Sequence, residues 1–242
     1  MGDGVPPRAG GLDPRLAAAV NNARWCDLVC RTHGTMGTFA ADAWTNPVRT
    51  PPYYPDAVTL TPTADTQSVL ARIDTATPGA SIKDSFNDQH QLGTAGFTPL
   101  FDASWLCHPG SPSARVAPTN RDWRTVDDVA TLSAWSRAGT DVPDLFRPAL
   151  LTDAHTRIFA CLDSHRRIVG GAVAFTSDGV IGLSNVFAIG IDLDAVWAGA
   201  VAAVSASGAP VVGYEHGDDL TVARGLGFGA IGGLRIWVQS TL

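Results

Sequence analysis

The sequence predicts a mixed fold of the α/β (α+β) kind: a mixed sheet flanked by helices, with an abbreviated repeat of the same arrangement in the first half. Three observations predict it. Apolar residues alternate in three successive runs between 157 and 188, and they then switch to a helical period over 193–204. A similar order of Gly, Phe and Trp landmarks occurs roughly 130 residues upstream, the mark of a tandem duplication.

The 242 residues suffice for one large domain or two small ones. Apolar residues make up 45% and charged residues 17%, enough to bury a sizeable core. A formal net charge of −6 argues against a general binder of nucleic acid or of anionic membranes. No basic segment leading into an apolar one opens the chain, and the longest strongly apolar run, Ala195–Val204, is about half a membrane span. A soluble, cytoplasmic protein is expected. Four cysteines (Cys26, Cys30, Cys107, Cys161) are too few for a disulfide scaffold.

In chain order, residues 1–14 are rich in Gly and Pro without an apolar period and read as a flexible arm. Residues 15–110 form the abbreviated copy. Within it, Cys26, Cys30 and His33 share one helix face, with Cys107-His108 further on. Zinc sites favour shorter Cys spacings from loops, and buried free cysteines are ordinary core residues, so no metal is expected. Trp44–Pro55 (WTNPVRTPPYYP) reads as a fixed extended loop that packs on the sheet or lines a pocket. A strand at Ala57–Thr61 and a helix at Asp65–Ile73 follow, then Gly79-Ala80, Gly96-Phe97 and Trp105. Residues 111–120 have linker composition.

Residues 121–242 form the second copy. Thr125 is a candidate N-cap with Asp128 three residues on, and Val126, Val129, Leu132 and Trp135 follow at helical spacing. Arg157–Asp163, Ile168–Thr176 and Val180–Ala188 are strands joined by the short turns Ser164–Arg167 and Ser177-Asp178-Gly179, an antiparallel meander. Leu193, Val196, Trp197, Ala200, Val201 and Val204 make one helical face, capped by Asp192 or Asp194 and ended by Gly208. Pro210–Tyr214 is a short buried strand. A helix capped by Asp218 or Asp219 runs to Leu226, Gly227-Phe228 breaks it, and Leu234–Val238 is the last strand. In the first half the counterpart of Val212–Glu215 is Lys83-Asp84-Ser85-Phe86.

This order, ending in Ala223-Arg224-Gly225-Leu226-Gly227-Phe228 and Leu234-Arg235-Ile236-Trp237-Val238, resembles the GNAT superfamily of acyl-CoA-dependent N-acyltransferases over residues 122–238. The resemblance implies that Val180–Ala188 and Pro210–Tyr214 run parallel and splay apart. Their unpaired amides would hold the pantetheine arm of acetyl-CoA or another acyl-CoA, with Val186, Phe187, Ala188 and Gly190 as the binding residues. The diphosphate would sit at the N-terminus of the following helix, where orphan N–H groups and the dipole attract an anion. In the family that loop reads Arg/Gln-x-x-Gly-x-Gly/Ala. Here it is Phe187–Ala195 (FAIGIDLDA), with Gly190 alone kept, no arginine, and Asp192 and Asp194 where the phosphate would bind. The tyrosine often found five residues before the Gly-Phe phenylalanine is Ala223 here and Leu92 in the first half.

Tyr214-Glu215-His216 is the candidate catalytic group: Glu215 or His216 can take the proton of an amine, and Tyr214 can protonate the departing thiolate. The plainer reading of the triplet is loop surface. Ser184-Asn185 lies inside an apolar strand, where a buried Asn needs a substrate, a water or a structural partner. Lys83, the one lysine in the chain, can be tuned or can bind phosphate, with Asp84 as its simplest partner. No serine occupies a nucleophile elbow, and GLGFGAIGG follows a helix rather than a strand, which excludes a dinucleotide loop. Two functions stand. One is acyl transfer, acetyl above all, from coenzyme A to an amine of a small molecule or peptide. The other is a catalytically degenerate ligand-binding or protein-interaction module. No nucleic acid or membrane partner is expected, and a homodimer is compatible with either reading.

Overall fold

The computed structural model describes residues 13–87, 89–110, 121–205 and 207–240. The linker 111–120 and all of the expected arm except Asp13 and Pro14 lie outside the described residues. Those two belong to a helix start instead. Asp13 accepts a 3.0 Å hydrogen bond from the Arg15 amide at the head of α1 (Pro14–Thr32), and Pro14 fills the first helical position, where an N–H would have no partner.

The first half continues with β1 (Thr38–Phe39), β2 (Ala43–Thr45), β3 (Ala57–Thr59), α2 (Thr66–Leu70), β4 (Ser81–Asp84) and β5 (Phe97–His108), with a 3-10 turn at His90–Ala95. The expected strand and helix at 57–61 and 65–73 both form, each shorter; Asp65 is the cap of α2 and accepts from the Ser68 amide at 2.8 Å. The second half is β6 (Asp122–Thr125), α3 (Val129–Gly139), a 3-10 turn at Pro148–Thr152, β7 (Thr156–Leu162), β8 (Ile168–Ser177), β9 (Val180–Ala188), α4 (Leu193–Ser205), β10 (Val211–Glu215), α5 (Gly217–Gly225) and β11 (Gly229–Gln239).

Three sequence expectations need correction. Thr125 does not cap α3; it ends β6, and Asp128 is the cap through a 2.9 Å bond from the Thr131 amide. Val126 therefore precedes the helix, where it is buried, while Val129 is exposed. The helix after β10 is capped by His216 without a side-chain bond, and Asp218 and Asp219 sit in its first turn, beside the positive end of the dipole.

All eleven strands form one sheet in the order β1-β2-β3-β4-β11-β5-β10-β9-β8-β7-β6. The two halves are interleaved at its centre: β11 lies between β4 and β5, and β5 lies between β11 and β10, all antiparallel. A shift of 132 residues carries Phe97 onto Gly229 and Cys107 onto Gln239, so that the β5–β11 pairs Phe97–Gln239 and Cys107–Gly229 exchange. The same shift carries the β4–β11 pair Ile82–Trp237 onto the β10–β5 pair Tyr214–Trp105. In the sheet Lys83 thus corresponds to Glu215, rather than Lys83–Phe86 to Val212–Glu215.

Strand alternation divides the core between two faces. On one, α1 and α3 cover Trp105, Val173, Phe175, Val212 and Leu234. On the other, α4 and α5 cover Leu106, Ala172, Ile181, Leu183 and Val211, with Trp197, Val201 and Ala223 as their own buried contribution. A smaller cluster around Ile82, Phe97 and Trp237 lies under α2. None of the described helices is long and apolar enough to cross a membrane.

Candidate acyl-transfer site

Strands β9 and β10 run parallel and pair at two positions only, Ile181 with Val211 and Gly182 with Val212. Beyond them β9 continues to Ala188 and β10 to Glu215 without pairing to each other. Each strand keeps its outer neighbour, β9 with β8 and β10 with β5, so the bare peptide groups face the gap between them. The ladder of β9 with β8 is also bulged. Its register passes from Phe187–Gly171 to Ser184–Val173, which sets Asn185 and Val186 opposite the single Ala172. Asn185 takes φ +52°, a left-handed conformation that Asn tolerates better than most residues. The corresponding pair in the first half, β3 and β4, is still laddered at Ala57–Ile82 and Val58–Lys83. By the sheet symmetry those positions match Tyr214 and Glu215, so the opening belongs to the second half alone.

Under the opening, on the α1 and α3 face, lies a cavity of about 520 Å³. That size is typical of small-molecule sites. Tyr214, Glu215 and His216 line it from β10, and Ser184, Asn185, Val186 and Phe187 line it from β9. Lys83 lines it from β4, and Tyr53, Tyr54 and Pro55 line it from the proline-rich loop. The structure brings together these side chains, which are far apart in sequence. Asp84, Ala188 and Gly190 do not line it.

Glu215 follows Tyr214 at the end of β10; desolvation pushes its carboxyl up to about 8, with the nearby charge of Asp219 on α5 adding to the effect. Tyr214 stands edge-on to the buried Trp105, ring centroids 5.5 Å apart. His216 is exposed and stacks on Phe101 at 4.4 Å. The Lys83 ammonium donates to Asn22 Oδ1 at 2.6 Å and lies 4.2 Å from the Tyr214 ring centroid.

Two expectations about partners are overturned. Asp84 does not pair with Lys83: successive strand residues point to opposite faces, and Asp84 accepts from the amides of Phe86 and Gln89 at 3.3 and 2.9 Å. Asn185 is not buried, because the bulge turns it outward, where its amide donates to Ser184 Oγ at 3.0 Å. Among the described residues no cluster of three metal-ligating groups occurs, and His33 Nε2 lies 2.9 Å from the Leu145 carbonyl oxygen.

Sequence reasoning did not single out Asn21 and Asn22. Their signal was a polar pair inside an Ala-rich helix: Asn21 is buried and donates to the Phe175 carbonyl and to Ser177 Oγ, both at 3.0 Å. Cys26 faces the same cavity, and burial pushes its thiol up to about 11.

No protein-family model matches the sequence, and no curated protein matches it. Solved structures do. A GCN5-related N-acetyltransferase from Kribbella flavida aligns with a TM-score of 0.61 at 15% identity, covering 97% of this chain and 98% of that one. The chain has the GNAT fold. A GCN5-related N-acetyltransferase-like protein from Streptococcus suis aligns with a TM-score of 0.51 at 14% identity, over 95% and 99% of the two chains. The bare peptide groups of the gap between β9 and β10 can take an extended ligand by main-chain hydrogen bonding. The loop that follows β9 is poorly suited to an anion. The amides of Ala195 and Val196 are already taken, donating to the Asp192 main-chain oxygen at 3.2 and 3.4 Å. Asp192 and Asp194 are both exposed there, and no basic side chain lies between Phe187 and Ala195.

Proposed function

We propose that this chain is an N-acyltransferase that moves an acyl group, acetyl in the simplest case, from the thioester of coenzyme A to an amine. One observation carries the reading: two parallel strands separate over a cavity whose wall presents Tyr214 and Glu215. The main chain of Val186, Phe187, Ala188 and Gly190 would hold the carrier, which supplies an activated acyl carbon. Glu215, as carboxylate, takes the proton from the attacking amine, and Tyr214 gives its hydroxyl proton to the departing sulfur. A C–N bond forms as the C–S bond breaks, and the proton count balances. His216, stacked on Phe101 at the cavity edge, borders the entry. The two halves are copies of one unit that exchanged their last strands, a reading supported by the paired registers of β5 and β11. Only the second copy kept an open gap.

A calorimetric titration of the full chain with acetyl-CoA tests this. Saturable binding at micromolar concentrations, followed by thiol release when amines are added, supports it; silence at millimolar concentrations overturns it. The carboxylates of Asp192 and Asp194 favour a second reading, in which the fold persists as a binding module without coenzyme A. Ligand binding in the cavity together with no response to acetyl-CoA selects that reading.

A further inference from the structure

Lys83 is 3% exposed in the middle of the sheet. A buried ammonium is costly unless it is paired. Its neighbours Asn22 and Tyr214 are both uncharged as partners, one an amide oxygen and the other a ring face. Among the described residues no carboxylate forms an ion pair with it. An ammonium carries three donors, and Asn22 takes one.

A second buried group faces the same space. Tyr54, 9% exposed and lining the cavity from the proline-rich loop, has no acceptor for its hydroxyl proton, since its neighbour Trp25 can only donate. A phenol O–H buried without an acceptor costs about 1–3 kcal/mol, so the position favours an acceptor from outside the chain. Asn22 turns its carbonyl oxygen to Lys83 and to the Cys26 thiol, which leaves its amide N–H groups as further donors.

The ionisable groups buried in the cavity lining do not offset the cation near neutral pH, and the carboxylate Asp141 lies out at the exposed rim. Glu215 holds its proton up to about 8, and the Cys26 thiol holds its own to about 11. Asp141 is engaged at the rim by the Tyr53 hydroxyl. The cavity therefore presents a positive inner wall of three donors, with Tyr214 and Glu215 elsewhere in its lining.

We infer that Lys83, Tyr54 and Asn22 bind a carboxylate, and that the acceptor in this cavity is a small amino carboxylic acid. The inference deepens the acyl-transfer reading and rests on it for the fate of the amine. Anchoring the carboxylate on these first-half residues leaves the amine free toward the second-half residues of the same lining, Tyr214 and Glu215 among them. A planar carboxylate suits one cation with two neutral donors, whereas a phosphate dianion is better served by several cations or guanidinium forks.

The test is calorimetry on the full chain without any thioester, using free amino acids, the same amino acids as carboxamides, and inorganic phosphate. At least one amino acid should bind, with its carboxamide at least tenfold weaker and phosphate not competing. Lys83→Met should weaken that amino acid tenfold or more, and Tyr54→Phe three- to tenfold without lowering the melting temperature. If Lys83→Met fails to fold, Tyr54→Phe and the carboxamide comparison decide. Equal binding of acid and carboxamide, unchanged binding in Tyr54→Phe, displacement by phosphate, or no amino acid binding at all would each overturn the inference. Because no thioester is present, failure of acyl transfer shows separately, as amino acid binding with no response to acetyl-CoA.

Discussion

The ammonium of Lys83, which enters from β4, lies 4.2 Å from the ring centroid of Tyr214, which enters from β10. Two strands, β11 and β5, separate their backbones in the sheet. The contact joins the two halves of the chain across the axis that relates them, so the cavity belongs to neither half alone. It also brings the one buried cation among the described residues of the first half against the second-half residue Tyr214.

Glu215 gives the clearest pH signature. The base must be ionised, so kcat/KM should climb about tenfold per pH unit below a midpoint of about 8 and then level off. Glu215→Gln should lower kcat by roughly 10²–10⁴ with little effect on thioester affinity. A rate profile flat from pH 6 to pH 9 removes Glu215 as the base.

The same carboxyl predicts a stability trend of definite sign. Its pKa is raised from 4.5 to about 8 on folding, so within that window the native state keeps a proton that the unfolded chain releases. Its contribution is complete below 4.5 and declines as the pH rises toward 8. Glu215→Gln should therefore melt above the parent protein at alkaline pH and level with it near pH 4. Equal melting temperatures throughout a pH series would show that Glu215 is solvated.

Gly213 sits where the gap opens. A Cβ there would lie 2.8 Å from the Leu183 carbonyl oxygen, closer than packed atoms allow, and the obstacle is backbone. Gly213→Ala should cost about 1–3 kcal/mol and shift β10 away from β9. Thermal melts measure the first effect, and titration with acetyl-CoA measures the change in affinity that goes with the second.

The loop after β9 is tested by charge removal. Asp192→Asn and Asp194→Asn should each tighten coenzyme A several-fold, on the order of 1 kcal/mol, with the gain shrinking as salt is added. Unchanged affinity in the double variant would place the diphosphate elsewhere.

Asp56 fixes the loop that carries Tyr54. Its buried carboxylate accepts from the Thr50 and Ser81 amides at 3.1 and 2.8 Å and pairs with Arg49. Removing it strands a partly buried guanidinium, so Asp56→Ala should lose about 3–5 kcal/mol and weaken ligand binding in the cavity. A fully stable Asp56→Ala with intact binding would show that the loop holds itself.

Much of the second half was legible in the sequence because period and turn chemistry are local. Val180–Ala188 was read with its observed ends, and the alternating runs before it are the observed meander. The helix boundaries were less legible, since Thr125 and Asp128 offer the same cap chemistry and only β6 pairing with β7 decides between them. For the site, Tyr214 and Glu215 were visible as a polar cluster ending an apolar strand, and Lys83 by being alone of its kind. Tyr54 was hidden among loop aromatics and Asn22 inside a helix, because neither position carries a signal until the loop and α1 are brought against the same strands.

By itself the sequence determined the element types and their order from α3 to β11, the break in period between β9 and α4, and the charge of the loop that follows β9. The tertiary structure alone decided that β11 and β5 insert between each other's halves, that the ladder of β9 and β10 stops after two pairs, and that Lys83, Tyr54, Tyr214 and Glu215 share one space. The reason is physical. Hydrophobic period and capping act over a few neighbouring residues, whereas strand order and a desolvated wall arise from contacts between residues more than a hundred positions apart.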